Sequence, residues 1–156
     1  MPPCETMKNG ILLVHTRRAA PGRSPSPTEC TGVFLLAAVL EQHGYQARVF
    51  HGPAHEFPAA MEKLPQELRS LAVGFFCDFE NRTTVEELSR MVKKRYRLPV
   101  IVGGPQSIAL GEDFFRKSRC DFVVRGEAEY TLPELLRSVS CGKPALCGIP
   151  GITYRC

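Results

Sequence analysis

The run Leu98-Pro99-Val100-Ile101-Val102-Gly103-Gly104-Pro105-Gln106 constrains the fold of this chain more than any other stretch. Three consecutive apolar, β-branched residues with no polar alternation describe a strand buried on both faces, which is the strand of a parallel sheet. Pro99 bounds it on one side. On the other, Gly103 and Gly104 let the backbone turn sharply and leave no side chain in the way. Ligands of open α/β sheets bind beyond the carboxyl ends of the strands. The Gly103-Gly104 corner therefore marks a place where a flat or bulky ligand can touch main chain.

Similar runs recur along the chain. Gly10–Thr16 reads as a first buried strand, followed by a long, polar, Pro-rich loop from Arg17 to Thr31; loops of that length are often functional. Val33, Leu36, Ala37 and Leu40 predict a helix over Gly32–His43, closed by Gly44. Gln46–Phe50 is a second strand. A helical pattern over Ala54–Arg69 is broken by Pro58 and Pro65. Leu71–Phe76 is a third strand. After Cys77–Asn81, Thr83 or Thr84 is expected to cap a helix reaching Tyr96. Ile108–Arg116 predicts a short helix and Phe122–Val124 a fifth strand. Leu132–Ser140 predicts a last helix, with Pro133 in its first turn. Gly148–Cys156 is extended enough for a sixth strand.

Strands alternating with helices in this way specify an α/β fold. The expected form is three-layer and doubly wound, with a mostly parallel five-stranded sheet in flavodoxin-like (Rossmann-like) order. At 156 residues and 44% apolar composition the chain suits one domain. Residues 1–9 are expected to be flexible, 10–141 to form the domain, and 142–156 to be an extended segment, an extra strand or a linker. No apolar run approaches the ~20 residues of a membrane span. The net charge of +4 is dispersed, so neither nucleic acid nor membrane is an expected partner. The seven cysteines are odd in number and include no Cys-x-x-Cys pair. Free thiols in a cytoplasmic protein, with no metal site, are the simplest reading.

Phosphate-loop and dinucleotide fingerprints are absent. Glu127 and Glu129 admit use as an acid/base pair, but negative charge at the start of the last helix is the simpler role. His15 ends the first strand and is either a rim histidine or a ligand. His51 and His55, separated by Gly52-Pro53, make a poor metal pair. Cys77, at a strand end, is either a small apolar filler or a ligand contact.

Three blocks, in this order and spacing, carry a resemblance: Pro27 to Tyr45 around Thr31-Gly32-Val33-Phe34-Leu35; Pro99-Val100-Ile101-Val102-Gly103-Gly104-Pro105-Gln106; and Cys120-Asp121-Phe122-Val123-Val124-Arg125-Gly126-Glu127-Ala128-Glu129-Tyr130 on to Leu136. The tail Gly148–Arg155 fits as well. The chain resembles the amino-terminal cobalamin-binding domain of cobalamin-dependent radical S-adenosylmethionine (radical SAM) enzymes. That resemblance implies a groove for the nucleotide tail of cobalamin lined by Gly103 and Gly104, with Pro105 and Gln106 at its edge. Gly126, Glu127 and Tyr130 would flank it, Phe76 and Cys77 would form its floor, and Thr16, Arg17 and the following loop would lie under the corrin ring. The Asp-x-His-x-x-Gly signature of histidine-ligated corrinoid proteins is missing, which implies no protein histidine on cobalt. The Cys-x-x-x-Cys-x-x-Cys motif is missing too. S-adenosylmethionine and an iron–sulfur cluster would then belong to a catalytic domain outside this chain, in cis or in trans, of an enzyme that is most simply a methyltransferase. Two other readings stand beside this one: a binding or interaction module that has lost the cofactor, and a flavodoxin-like enzyme using Glu127 or Glu129.

Overall fold

The computed structural model describes residues 9–17, 31–69, 71–141 and 146–155. Residues 1–8 of the expected flexible start, the loop from 18 to 30 and the Pro27–Cys30 part of the first block lie outside the described residues. Six strands form one sheet: β1 (Gly10–Arg17), β2 (Gln46–Pro53), β3 (Ala72–Phe76), β4 (Val100–Gly103), β5 (Phe122–Val124) and β6 (Ile152–Tyr154). Their order is β2-β1-β3-β4-β5-β6. The first five are parallel in the expected flavodoxin-like order, and β6 pairs antiparallel with β5 through Val124 and Ile152. The five-stranded expectation thus gains the tail as a sixth strand.

Helices cover both faces. On one face α1 (Thr31–Gln42) and α6 (Ala128–Ser140) bury Val33, Leu40, Leu132 and Leu136 against Ile11, Leu13 and Ile101. On the other, α2 (Phe57–Lys63), α3 (Arg82–Tyr96) and α5 (Gly111–Ser118) bury Phe57, Val85, Val92 and Phe114 against Leu12, Val14, Val73 and Val102. Successive strand residues serve opposite faces, so every interior strand reads as a continuous apolar run.

Local details depart from the sequence reading for identifiable reasons. The 54–69 region divides into two short 3-10 turns around α2, with Leu64 extended ahead of Pro65. The segment after β4 forms two helices, α4 (Pro105–Ala109) and α5, meeting at Leu110. Helix α3 starts one turn earlier than Thr84 would allow, and its N-cap is Asn81. Asn81 does not cap with its side chain. Its Nδ2 donates to the carbonyls of Phe76 (2.9 Å) and Thr16 (3.5 Å), tying the exits of β1 and β3 together. Helix α6 starts at Ala128, which puts Pro133 inside the helix rather than in its first turn. Among the described residues, no helix is long and apolar enough to cross a membrane.

Candidate functional site

A cleft of about 220 Å³ opens at the carboxyl rim, between the sheet and the starts of α1 and α6. The register explains its shape. Phe76 pairs with Gly103 at the top of β3 and β4, and Gly74 pairs with Ile101 two residues below. Gly74 and Gly103 therefore share the face that α1 and α6 cover, and each withholds a side chain from it. A Cβ on Gly103 would meet nothing closer than the Val124 carbonyl at 3.8 Å, and one on Gly74 would meet Leu13 Cδ2 at 2.9 Å. Gly32 and Gly126, at the mouth, have open space where a Cβ would stand. Helix α1 contributes Val33 and Leu36 to the opposite wall, and α6 contributes Ala128, Glu129 and Leu132.

Gly104 also lines the cleft, but its glycine identity has another cause. Its φ is 104°, and a Cβ would stand 2.5 Å from the Cys77 carbonyl oxygen. The loop after β3 lies directly on this corner. Cys77 N–H donates to the Gly103 carbonyl at 2.8 Å, and Gln106 N–H donates to the Cys77 carbonyl at 3.2 Å. The β3 and β4 exits are thereby stitched into one ledge.

The ledge continues to β1. The Asp78 carboxylate accepts the N–H groups of Glu80 (2.8 Å) and Asn81 (2.9 Å) through Oδ1. Its Oδ2 faces His15 Nε2 at 3.6 Å. The His15 ring stacks on His51 with centroids 5.1 Å apart and meets the Phe76 ring edge-on at 5.3 Å. It is only 4% exposed, sealed beneath the rim.

The residues singled out from the sequence divide accordingly. Phe76, Gly103, Gly104, Gly126 and Glu127 line the cleft, as does Glu129. Cys77 does not form its floor: the thiol is fully buried in the core of the other face. Burial, and then the neighbouring Asp78 charge, push its pKa up to about 12, so it is not a reactive thiol. Thr16 is also buried and lies outside the cleft wall. Arg17, at the end of β1, is half-buried and lies outside it too. Pro105 and Gln106 begin α4 at the rim, outside the lining. Tyr130 is 83% exposed in the first turn of α6 and is not part of the cleft lining. His51 stacks on His15, and His55 lies 3.9 Å from the Glu56 carboxylate; among the described residues no group of three metal-ligating side chains is assembled. Among the lining residues that the sequence reading missed are Gly74, Val33, Leu36 and Leu132. A glycine inside an apolar strand was the available signal for the first; the others look like ordinary core.

The exposed large apolar side chains among the described residues are Phe34, Leu35, Phe79, Ile108 and Tyr130. All five sit in segments that begin at the carboxyl ends of strands. Exposed apolar side chains in segments that leave the carboxyl rim are suited to contact with whatever that rim receives.

Comparison with known proteins bears on what that is. A family model described as the B12 binding domain matches residues 22–136. A search of curated proteins finds no match. Among solved structures, the chain is similar to the radical S-adenosylmethionine methyltransferase TsrM from Kitasatospora setae with tryptophan substrate and the SAM analogue aza-SAM bound. There the TM-score is 0.72 and the identity 20%, over 95% of this chain and 29% of that one. It is equally similar to TsrM with cobalamin and a [4Fe-4S] cluster bound, with a TM-score of 0.72 and 21% identity over 96% of this chain and 29% of that one. The chain thus spans under a third of the length of those structures, and at such identity the likeness is one of fold.

Proposed function

Since this chain belongs to the B12-binding domain family, we propose that its rim cleft holds the nucleotide tail of cobalamin, with the corrin ring across the carboxyl ends of the strands. The observation that carries this reading is the pair of missing side chains, Gly74 and Gly103, on the cleft face of two adjacent strands. Together with Gly32 and Gly126 at the mouth, they leave bare backbone where an elongated, amide-rich ligand can lie against main chain.

The roles of the residues follow from their places. Val33, Leu36, Val124 and Leu132 would enclose the end of the tail and exclude water from it. The Asp78, Asn81 and Cys77 contacts fix the ledge on which the ring would rest. The exposed rings of Phe79 and Tyr130, in segments that leave the rim, would be available for apolar contact with it. His15 is held under the rim by His51, Phe76 and Asp78, which supports cobalamin held without a protein histidine on cobalt. When bound, cobalamin supplies a cobalt centre able to accept a methyl group and pass it on; this chain's part is to bind and orient. The likeness to TsrM supports a radical SAM catalytic domain, in cis or in trans, as the partner and methyl transfer as the reaction. In that arrangement S-adenosylmethionine and the iron–sulfur cluster belong to the partner domain.

The test is a titration of the chain with hydroxocobalamin, followed by visible absorbance. Saturable binding that Gly103→Leu abolishes is the expected result. A folded chain that shows no saturable binding overturns the reading and leaves an interaction module that has lost the cofactor.

A further inference from the structure

The polar groups of the cleft are distributed unevenly. Of its lining side chains among the described residues, only those of Glu127 and Glu129 are polar, and both belong to the mouth, at the start of α6. The bare backbone of Gly103, the last residue of β4, and of Gly104 and Gly126, just past the ends of β4 and β5, borders the same part of the cleft. Two residues further down the strands the walls change character. There the cleft is bounded by Leu13 and Ile101 from the sheet and by Val33, Leu36 and Leu132 from the helices, all hydrocarbon. In a sheet interior the strand N–H and C=O groups are spent on neighbouring strands, so this inner part has little left to offer a polar ligand edge.

Resting on the reading of the cleft as the seat of a corrinoid's nucleotide tail, we infer that the inner section selects the base of that tail, accepting dimethylbenzimidazole and rejecting adenine. Both bases are flat and bicyclic, so size separates them poorly. Their edges differ. Dimethylbenzimidazole presents two methyl groups and a carbocyclic ring to the walls. Adenine presents an exocyclic amino group and two further ring nitrogens, all hydrogen-bonded in water. Buried against leucine, isoleucine and valine, those groups lose their partners, and a site without partners for polar groups discriminates against the ligand that carries them.

The experiment compares three corrinoids by isothermal titration calorimetry on the 156-residue chain: cobalamin, the analogue with adenine in place of dimethylbenzimidazole, and cobinamide, which has no nucleotide. All three are used as dicyano forms, so that no base is coordinated to cobalt beforehand and the comparison reads only the cleft. Expected is tightest binding by cobalamin, with the adenine analogue at least about tenfold weaker and cobinamide weaker than cobalamin. Leu36→Gln, which puts an amide into the hydrocarbon section, is expected to narrow the gap between the two bases. Equal affinities for cobalamin and the adenine analogue, with cobinamide weaker, would overturn the base selection while leaving the cleft as the tail's seat. Equal affinities for cobalamin and cobinamide, or no binding by any of the three, would overturn both.

Discussion

Gly103 and Gly104 are neighbours in sequence and opposites in physical role. Gly104 needs a positive φ of 104° and has the Cys77 backbone within 2.5 Å of where a Cβ would stand. Gly104→Ala therefore forces both a strained backbone and a main-chain shift, and is expected to cost at least ~2 kcal/mol in urea unfolding. Gly103→Ala, with 3.8 Å of room, is expected to stay within ~1 kcal/mol of the parent. Equal losses from the two would show that the corner is not stitched as described. Two buried thiols give a second test at this scale. Burial raises the pKa of Cys77 to about 12 and that of Cys120 to about 11, from an ordinary value of 9.0. The folded state keeps these protons when the unfolded chain has released them. Their contribution is fully present below pH 9 and is lost as pH rises through that window, at up to about 1.4 kcal/mol per pH unit for each thiol. Urea midpoints measured between pH 8 and 10.5 should fall less steeply in Cys77→Ala than in the parent chain.

At the scale of elements, the residue that holds β4 to β5 is Asp121, not a cleft residue. Its Oδ2 accepts the Val100 N–H at 2.7 Å, its own N–H donates to the Val100 carbonyl, and both carboxylate oxygens accept from Lys93 of α3. Asp121→Ala leaves the Val100 amide without its acceptor and should cost about 1–3 kcal/mol, while Lys93→Met, which removes only a partly exposed ion pair, should cost less than ~1 kcal/mol. Comparable losses would mean that charge, not the backbone contact, is what matters there. The strands were legible in the sequence because each interior strand is apolar throughout, and their order followed from the alternation with helices. The cap of α3 was not. Thr83 and Thr84 have the right chemistry, but Asn81 takes the position because its side chain also bridges the Phe76 and Thr16 carbonyls, a pairing across 65 residues that no local pattern discloses. Much of the cleft was hidden for a related reason. Val33, Leu36 and Leu132 line it with the same side chains that fill the core beside it, so spacing alone does not tell a wall from a packed interface.

At the scale of the molecule, ligand binding and folding are linked through the cleft. The groove is bounded by four strands and two helices that are far apart in sequence. A ligand seated there binds the folded chain and has no comparable site on the unfolded one, so it must raise the unfolding free energy by mass action. At a concentration one hundred times its Kd that gain is about 2.7 kcal/mol, which for a chain of this size corresponds to a rise in Tm of about 5–10 °C. The predicted control is Gly103→Leu. Its side chain would grow from the top of β4 into the open cleft, so the apo Tm should stay close to that of the parent while the cobalamin-dependent rise disappears. Differential scanning calorimetry of both proteins, with and without cobalamin, separates the two effects. A rise that survives intact in Gly103→Leu would place the stabilising contacts elsewhere on the molecule, and with them the corrinoid.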